Sequence, residues 1–255
     1  MKIKNVLKEK INSKKRIIGT WSSLSSPNVI SVLGTSNLDF VIIDMEHSSS
    51  NYETVENMVK ASLASGLAPI VRTYDDSSQN LLRTLETGVQ SVMVPHVKTQ
   101  EAAERIVKSC KYFPEGNRGL SPYTINHNYT HESIDKSLEE TNKNIFIGVL
   151  VEGVEGLNNL EKIVEVEGID LIYLGLFDLS LSIGLPGQLM HKKVLDEIIR
   201  CQKIISSKSI LAGSMATDLN YINMLIEFNY NFIAYYNDAA SLRSHYMDVI
   251  SKIKQ

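Results

Sequence analysis

Phe40-Val41-Ile42-Ile43-Asp44-Met45-Glu46-His47 is the stretch on which the reading of this chain turns. Apolar, mostly β-branched residues run without interruption into an aspartate, and a polar turn follows. A continuous apolar run this short suits a strand buried on both faces, as in a parallel sheet. The pattern recurs at residues 17–21, 69–72, 91–95, 145–151, 171–175, 209–212 and 231–236, which with 40–44 makes eight runs. Helical periodicity fills the gaps. Val55, Met58, Val59 and Leu63 share one helical face, and so do Ile106 and Cys110. Leu81, Leu82 and Leu85 do the same, with Gly88 placed to end that helix. The run ends Trp21, Asp44, Arg72 and Pro95 follow one another at intervals of 23, 28 and 23 residues. Strand and helix in regular alternation over 255 residues predict an α/β fold, a (β/α)8 TIM barrel. No linker or shift in composition divides the chain, so residues 1–255 are read as a single domain.

Composition narrows the function. Hydrophobic residues make up 43% of the chain, enough for a large core, and a formal net charge of −3 provides no basic stripe for nucleic acid. No run of 18 apolar residues is present, so no membrane span is expected. The lysines at 2, 4, 8, 10, 14 and 15 are not followed by an apolar segment, so they read as a solvated first helix and not as a signal peptide. Cys110 and Cys201 fall in separate predicted helices with neither metal nor disulfide spacing, which suits two thiols of a cytoplasmic protein. One interval is long, from Pro95 to Glu152, and its polar half at 116–144 is expected to be a functional loop or a partner contact.

In such barrels chemistry sits where the strands end. Here the ends read Trp21, then the turn 44–47, then Arg72, Pro95-His96, Glu152 and, just past Gly175, Asp178. Six polar or aromatic ends in succession suggest one shared site. Glu152 and Asp178 are the candidate metal ligands, and two carboxylates without cysteine favour a hard cation, Mg²⁺ or Mn²⁺. Such a site leaves positions for water and for a 2-oxo acid that chelates through carboxylate and keto oxygens. Arg72 is placed to stabilise negative charge on that keto oxygen. Asp44 is expected to hydrogen-bond the His47 ring and leave its other nitrogen free for proton transfer.

These residues carry a resemblance. Residues 18–21 (IGTW), 40–47 (FVIIDMEH), 69–72 (PIVR), 85–90 (LETGVQ), 94–95 (VP), 112–119 (YFPEGNRG), 151–152 (VE) and 175–180 (GLFDLS) resemble, in order, the metal-dependent class II 2-oxo-acid aldolases of the HpcH/HpaI family. The resemblance implies a pyruvate-type enolate held by metal, carboxylates and arginine. His47 would be the acid/base with Asp44 orienting it, Arg72 would contact the keto oxygen, and Glu152 and Asp178 would bind the metal. Backbone amides around Phe177 and Asp178, with Leu176 and Trp21 beside them, would hold the substrate. It further implies a homo-oligomer, a hexamer built as a dimer of trimers, with an exchanged C-terminal helix at residues 239–254. Glu86, where the family usually has aspartate, would reach a neighbouring subunit's site.

The chain departs from the family pattern at three places. Leu176 and Phe177 stand where Pro-Ala is usual, Leu150 where a glutamine is common, and His96 where an apolar residue is general. The loop that begins at Arg118, itself a candidate substrate-binding residue, is where selectivity for the second substrate is expected. The leading reading is a lyase that reversibly cleaves a 4-hydroxy-2-oxo acid to pyruvate, or a similar acid, and an aldehyde. The alternative is a citrate synthase of siderophore biosynthesis, similar in fold, which condenses oxaloacetate with acetyl-CoA and uses His96 as an added catalytic group. A non-catalytic barrel is the third reading, disfavoured by the intact set of metal pair, arginine and Asp–His turn.

Overall fold

Along a strand buried on both faces, side chains alternate between the barrel interior and the surrounding helices. The computed structural model, which describes residues 5–254, has this alternation throughout. The strands are β1 (Ile17–Ser22), β2 (Phe40–Asp44), β3 (Ala68–Arg72), β4 (Ser91–Val94), β5 (Phe146–Val151), β6 (Leu171–Leu174), β7 (Leu211–Ala216) and β8 (Phe232–Asn237). They close in sequence order into a parallel barrel. In β2, Phe40 and Ile42 join the interior cluster with Ile70, Phe146 and Phe232. Val41 and Ile43 point the other way and pack with Val55, Met58 and Val59 of the helix Tyr52–Ala64. The fold is therefore a TIM barrel.

The interior is filled by aromatic rings. Phe40 stacks on Phe232 with centroids 4.2 Å apart, and Phe146 and Tyr173 flank the same ring. Gly19 makes room for this: a Cβ there would lie 2.3 Å from the Phe40 ring. The helix Val6–Ser13 closes the N-terminal mouth. Its Leu7 is buried in the interior cluster, and Asn5 caps it while its amide donates to the carbonyls of Gln90 and Asn144. The opposite mouth, at the C-terminal strand ends, is left open.

Two expectations are corrected. The seventh strand is Leu211–Ala216 and not 209–212. It is built from small residues, because a Cβ on Gly213 would lie 2.9 Å from Leu171 and from Tyr173, so the apolar count undervalued it. The polar stretch 116–144 is not an open loop. It contains a short turn at Ile125–His127 and the helix Ile134–Asn144, whose buried residues are Thr141 and Asn142. Asn142 bonds both backbone polar groups of Tyr112, and buried His127 sits between Tyr112 Oη (3.0 Å) and Ser137 Oγ (2.7 Å). Polar side chains do the anchoring here, which a hydrophobic pattern does not register.

The C-terminal helix, Asp238–Ile253, exposes Leu242, Tyr246, Met247, Ile250 and Ile253. Beside its first turn is an apolar cavity of about 540 Å³ lined by Val29, Val32, Leu33 and Leu242. Among the described residues no helix is long and apolar enough to cross a membrane. Phe40→Ala empties the middle of the ring stack, and we expect urea unfolding to show a loss of about 3–5 kcal/mol.

Candidate active site

The open mouth collects the residues at which the strands end. A cavity of about 330 Å³ is lined by Trp21, Asp44, His47, Arg72, Leu150, Glu152, Tyr173, the segment 175–178, Met215 and Asn237. All eight strands except β4 supply a lining residue or the turn that follows them, and His96, just past β4, touches Glu152.

The register of β2 and β3 pairs Asp44 with Arg72, and their side chains meet as well. Arg72 Nε donates to Asp44 Oδ1 at 2.9 Å and Nη2 to Oδ2 at 2.6 Å, a bidentate fork between two buried residues. Burial works against the Arg72 charge, but Asp44 first, then Glu46 and Glu152, outweigh it and hold its pKa above the ordinary value. The guanidinium lies 4.6 Å from the centroid of the Trp21 ring, whose Nε1 donates to Tyr173 Oη at 3.0 Å. The Tyr173 hydroxyl is fully buried, and its pKa is pushed well up.

From this fork a line of alternating charges crosses the mouth. Arg72 Nη1 is 2.9 Å from Glu46 Oε2, and Glu46 Oε1 is 2.8 Å from His96 Nε2. His96 Nδ1 is then 2.7 Å from Glu152 Oε1, and the same oxygen accepts the His96 backbone N–H at 3.0 Å. His96 holds this place with a left-handed φ of 57°, uncommon away from glycine. Glu152 is only 5% exposed, and burial raises its carboxyl pKa while the His96 charge pulls it down.

The other oxygen of Glu152 faces the neighbouring strand end. Oε2 lies over Gly175, where a Cβ would sit only 2.6 Å away, so any larger residue would fill the space beside it. Gly175 is the N-cap of the helix Leu176–Ser182, and Asp178 lies in its first turn, close enough for its charge to act on Glu152. Among the described residues no three His, Cys, Asp or Glu side chains converge into a ready metal cage. Glu152 Oε2 and Asp178 remain as a pair of oxygen donors at the cavity wall, a set that fits a hard cation completing its shell with water and substrate. The backbone N–H groups at the start of the helix have no partner in the preceding turn and are suited to a carboxylate.

The structure thus brings together Trp21, Asp44, His47, Arg72, His96, Glu152, Leu176, Phe177 and Asp178. It does not bring Asp44 onto the His47 ring. The Asp44 carboxylate takes Arg72 and the backbone N–H groups of Glu46 (3.0 Å) and His47 (3.2 Å), and His47 stands exposed at the rim. Asp44 therefore shapes the turn and orients the arginine. Glu86 and Arg118 lie elsewhere. Each follows the C-terminal end of a helix running back from the open mouth, so both lie toward the closed end of this chain's barrel, joined by an ion pair of 2.8 Å. Glu46 is the member that strand-end reading passed over. Its signal was its place between Asp44 and His47, but only the structure shows it linking Arg72 to His96. Tyr173 was likewise hidden inside an apolar run.

Comparison with known proteins follows this geometry. The family model for HpcH/HpaI aldolase/citrate lyase matches residues 17–250. The chain is 30% identical to the hydroxypyruvate/pyruvate aldolase of Roseobacter denitrificans over 98% of each chain. It is 31% identical to a 5-keto-4-deoxy-D-glucarate aldolase of Escherichia coli over 94% of this chain and 93% of that one. Among solved structures it is similar to the citrate synthase SbnG, with a TM-score of 0.88 at 28% identity, covering 98% of this chain and 97% of that one.

Asp44→Asn leaves the Arg72 fork half unpaired in a buried place, and we expect a loss of about 3–5 kcal/mol on urea unfolding. Adding Arg72→Met should recover part of it by removing a buried cation left with Glu46 as its ion-pair partner. A double variant no more stable than Asp44→Asn alone would show that the fork is not what the single change breaks.

Proposed function

The chain belongs to the HpcH/HpaI aldolase/citrate lyase family, whose members similar to it include carbon–carbon lyases, and from that premise we propose that it is a divalent-metal-dependent aldolase. Its reaction is the reversible cleavage of a 4-hydroxy-2-oxo acid to pyruvate, or a close analogue, and an aldehyde. The observation that carries this reading is the split environment of Glu152. One carboxylate oxygen is held by His96, and the other is free over Gly175 on the side of Asp178, in the cavity that Arg72 enters.

In this reading Glu152 and Asp178 hold Mg²⁺ or Mn²⁺, which when bound supplies Lewis-acid polarisation of the 2-oxo group. Arg72, fixed by Asp44 and steadied over Trp21, meets the negative charge that grows on the keto oxygen as the C3–C4 bond breaks. The backbone amides of Phe177 and Asp178 orient the substrate carboxylate. His47, unencumbered at the rim, takes the proton from the 4-hydroxyl in the cleavage direction and returns it in the condensation, and the enolate becomes pyruvate when C3 takes a proton from water. Leu150, Leu176 and Phe177 give the acid pocket an apolar floor that disfavours water.

We further propose that the enzyme works in the cytoplasm as a homo-oligomer, a hexamer arranged as a dimer of trimers. Two buried free cysteines suit a reducing compartment. The apolar side chains exposed along Asp238–Ile253 support exchange of that helix between copies. Glu86, paired with Arg118 away from its own chain's cavity, would serve a neighbouring subunit's site.

The test is proton exchange. With Mg²⁺ or Mn²⁺ in deuterated water, the purified protein should wash out the C3 protons of pyruvate or oxaloacetate, followed by NMR, and Glu152→Gln should abolish this. Absence of exchange with either acid in folded protein would sink the enolate reading.

A second reading is favoured by His96, which adds a histidine between Glu46 and Glu152, and by the similarity to SbnG. In it the same acid pocket takes oxaloacetate and the enzyme condenses it with acetyl-CoA. Thiol release on mixing the two, lost in His96→Asn, would favour this reading over the aldolase.

A further inference from the structure

Glu152 presents two unlike oxygens. Oε1 accepts the backbone N–H of His96 at 3.0 Å and is covered by that residue's ring nitrogen at 2.7 Å. Oε2 lies over Gly175 with no protein hydrogen bond among the described residues. The His96 ring, exposed on its outer side, meets Glu46 at its far nitrogen, and Arg72 holds Glu46 at 2.9 Å, so swinging the ring off Glu152 also breaks its contact with Glu46.

We infer that His96 is a specificity-determining residue that confines Glu152 to one-oxygen ligation and so selects a small divalent ion over calcium. The inference rests on the reading of Glu152 and Asp178 as metal ligands. Its physical basis is the difference in coordination between the ions. Mg²⁺ is satisfied by one oxygen from each of one or two carboxylates plus water in a tight octahedron, at distances of about 2.0–2.1 Å. Ca²⁺ gathers about six to eight oxygens at longer range and draws on carboxylates that bind through both oxygens at once. A cation seated across both oxygens of Glu152 would have to displace the imidazole from Oε1. Mg²⁺ or Mn²⁺ would avoid that cost, since one oxygen of Glu152 would be enough for either ion.

Trp21 provides the readout, since it is the sole tryptophan of the chain and lines the same cavity as Glu152 and Asp178. Mn²⁺ titrated into the metal-stripped protein should quench its fluorescence, and Mg²⁺ or Ca²⁺ added afterwards should restore it in proportion to affinity. Two variants remove the ring. His96→Asn keeps a residue that tolerates left-handed backbone, and His96→Gly removes the side chain altogether. In both, Ca²⁺ should gain on Mg²⁺ by about tenfold or more as a competitor. Folding is checked by circular dichroism, and either folded variant suffices. An unchanged Ca²⁺-to-Mg²⁺ ratio, with Mn²⁺ still quenching and Glu152→Gln not responding, overturns the inference and leaves the metal site standing. Failure of Mn²⁺ to quench the unsubstituted protein, with Glu152→Gln behaving identically, overturns both.

Discussion

The open mouth of the barrel depends on one interaction, the bidentate pairing of Arg72 with Asp44. Register brings them together, because these two residues end adjacent parallel strands at the same level. Neither is tolerable there alone, since a buried charge without a partner costs several kcal/mol. Together they serve as a fixed reference. Asp44 accepts the backbone N–H groups that bend the 44–47 turn, which places Glu46 against Arg72 and presents Glu46 to His96. Arg72 also covers Trp21, so the aromatic wall of the cavity and its charged floor are aligned by the same guanidinium.

The remainder of the mouth is organised by carboxylates alternating with basic side chains. Asp44, Arg72, Glu46, His96 and Glu152 succeed one another across four strand ends, each carboxylate touching a basic side chain. The series stops at Oε2 of Glu152, and past it comes Asp178, which makes no ion pair among the described residues. Two carboxylates therefore face one edge of the cavity, the edge at which we propose a metal ion binds. A line of salt bridges that ended in balance would be a structural feature. One that ends in two carboxylates is suited to chemistry.

Stability and chemistry are divided along the barrel axis. The closed end is sealed by the helix Val6–Ser13 and the middle by stacked rings, so apolar packing is concentrated there and buried charge at the strand tips. The excursion at 116–144 belongs to the closed half. It is anchored by Asn126, His127 and Asn142 through hydrogen bonds to the backbone of Leu85 and to Tyr112. Its anchors lie on the side of the barrel, away from the mouth of this chain.

The barrel was legible from residues 40–47 and their echoes, because a strand buried on both faces must be apolar along its length and must become polar where it meets water. The same rule exposed Trp21, Arg72, Glu152 and Asp178 as residues of one mouth. The seventh strand and the helix Ile134–Asn144 escaped it, since Gly213 fits by smallness and Asn142 by hydrogen bonding, neither of which has a hydrophobic period. What the sequence by itself determined was which residues stand at the strand ends. Which partner each one takes was decided only by the tertiary structure. Asp44 is three residues from His47 yet bonds Arg72, 28 positions away, because parallel register sets two side chains at one height. Glu86 and Arg118 sit at the far end because helices run back against the strands they follow. Proximity along the chain limits what can meet, but the direction of each element settles what does.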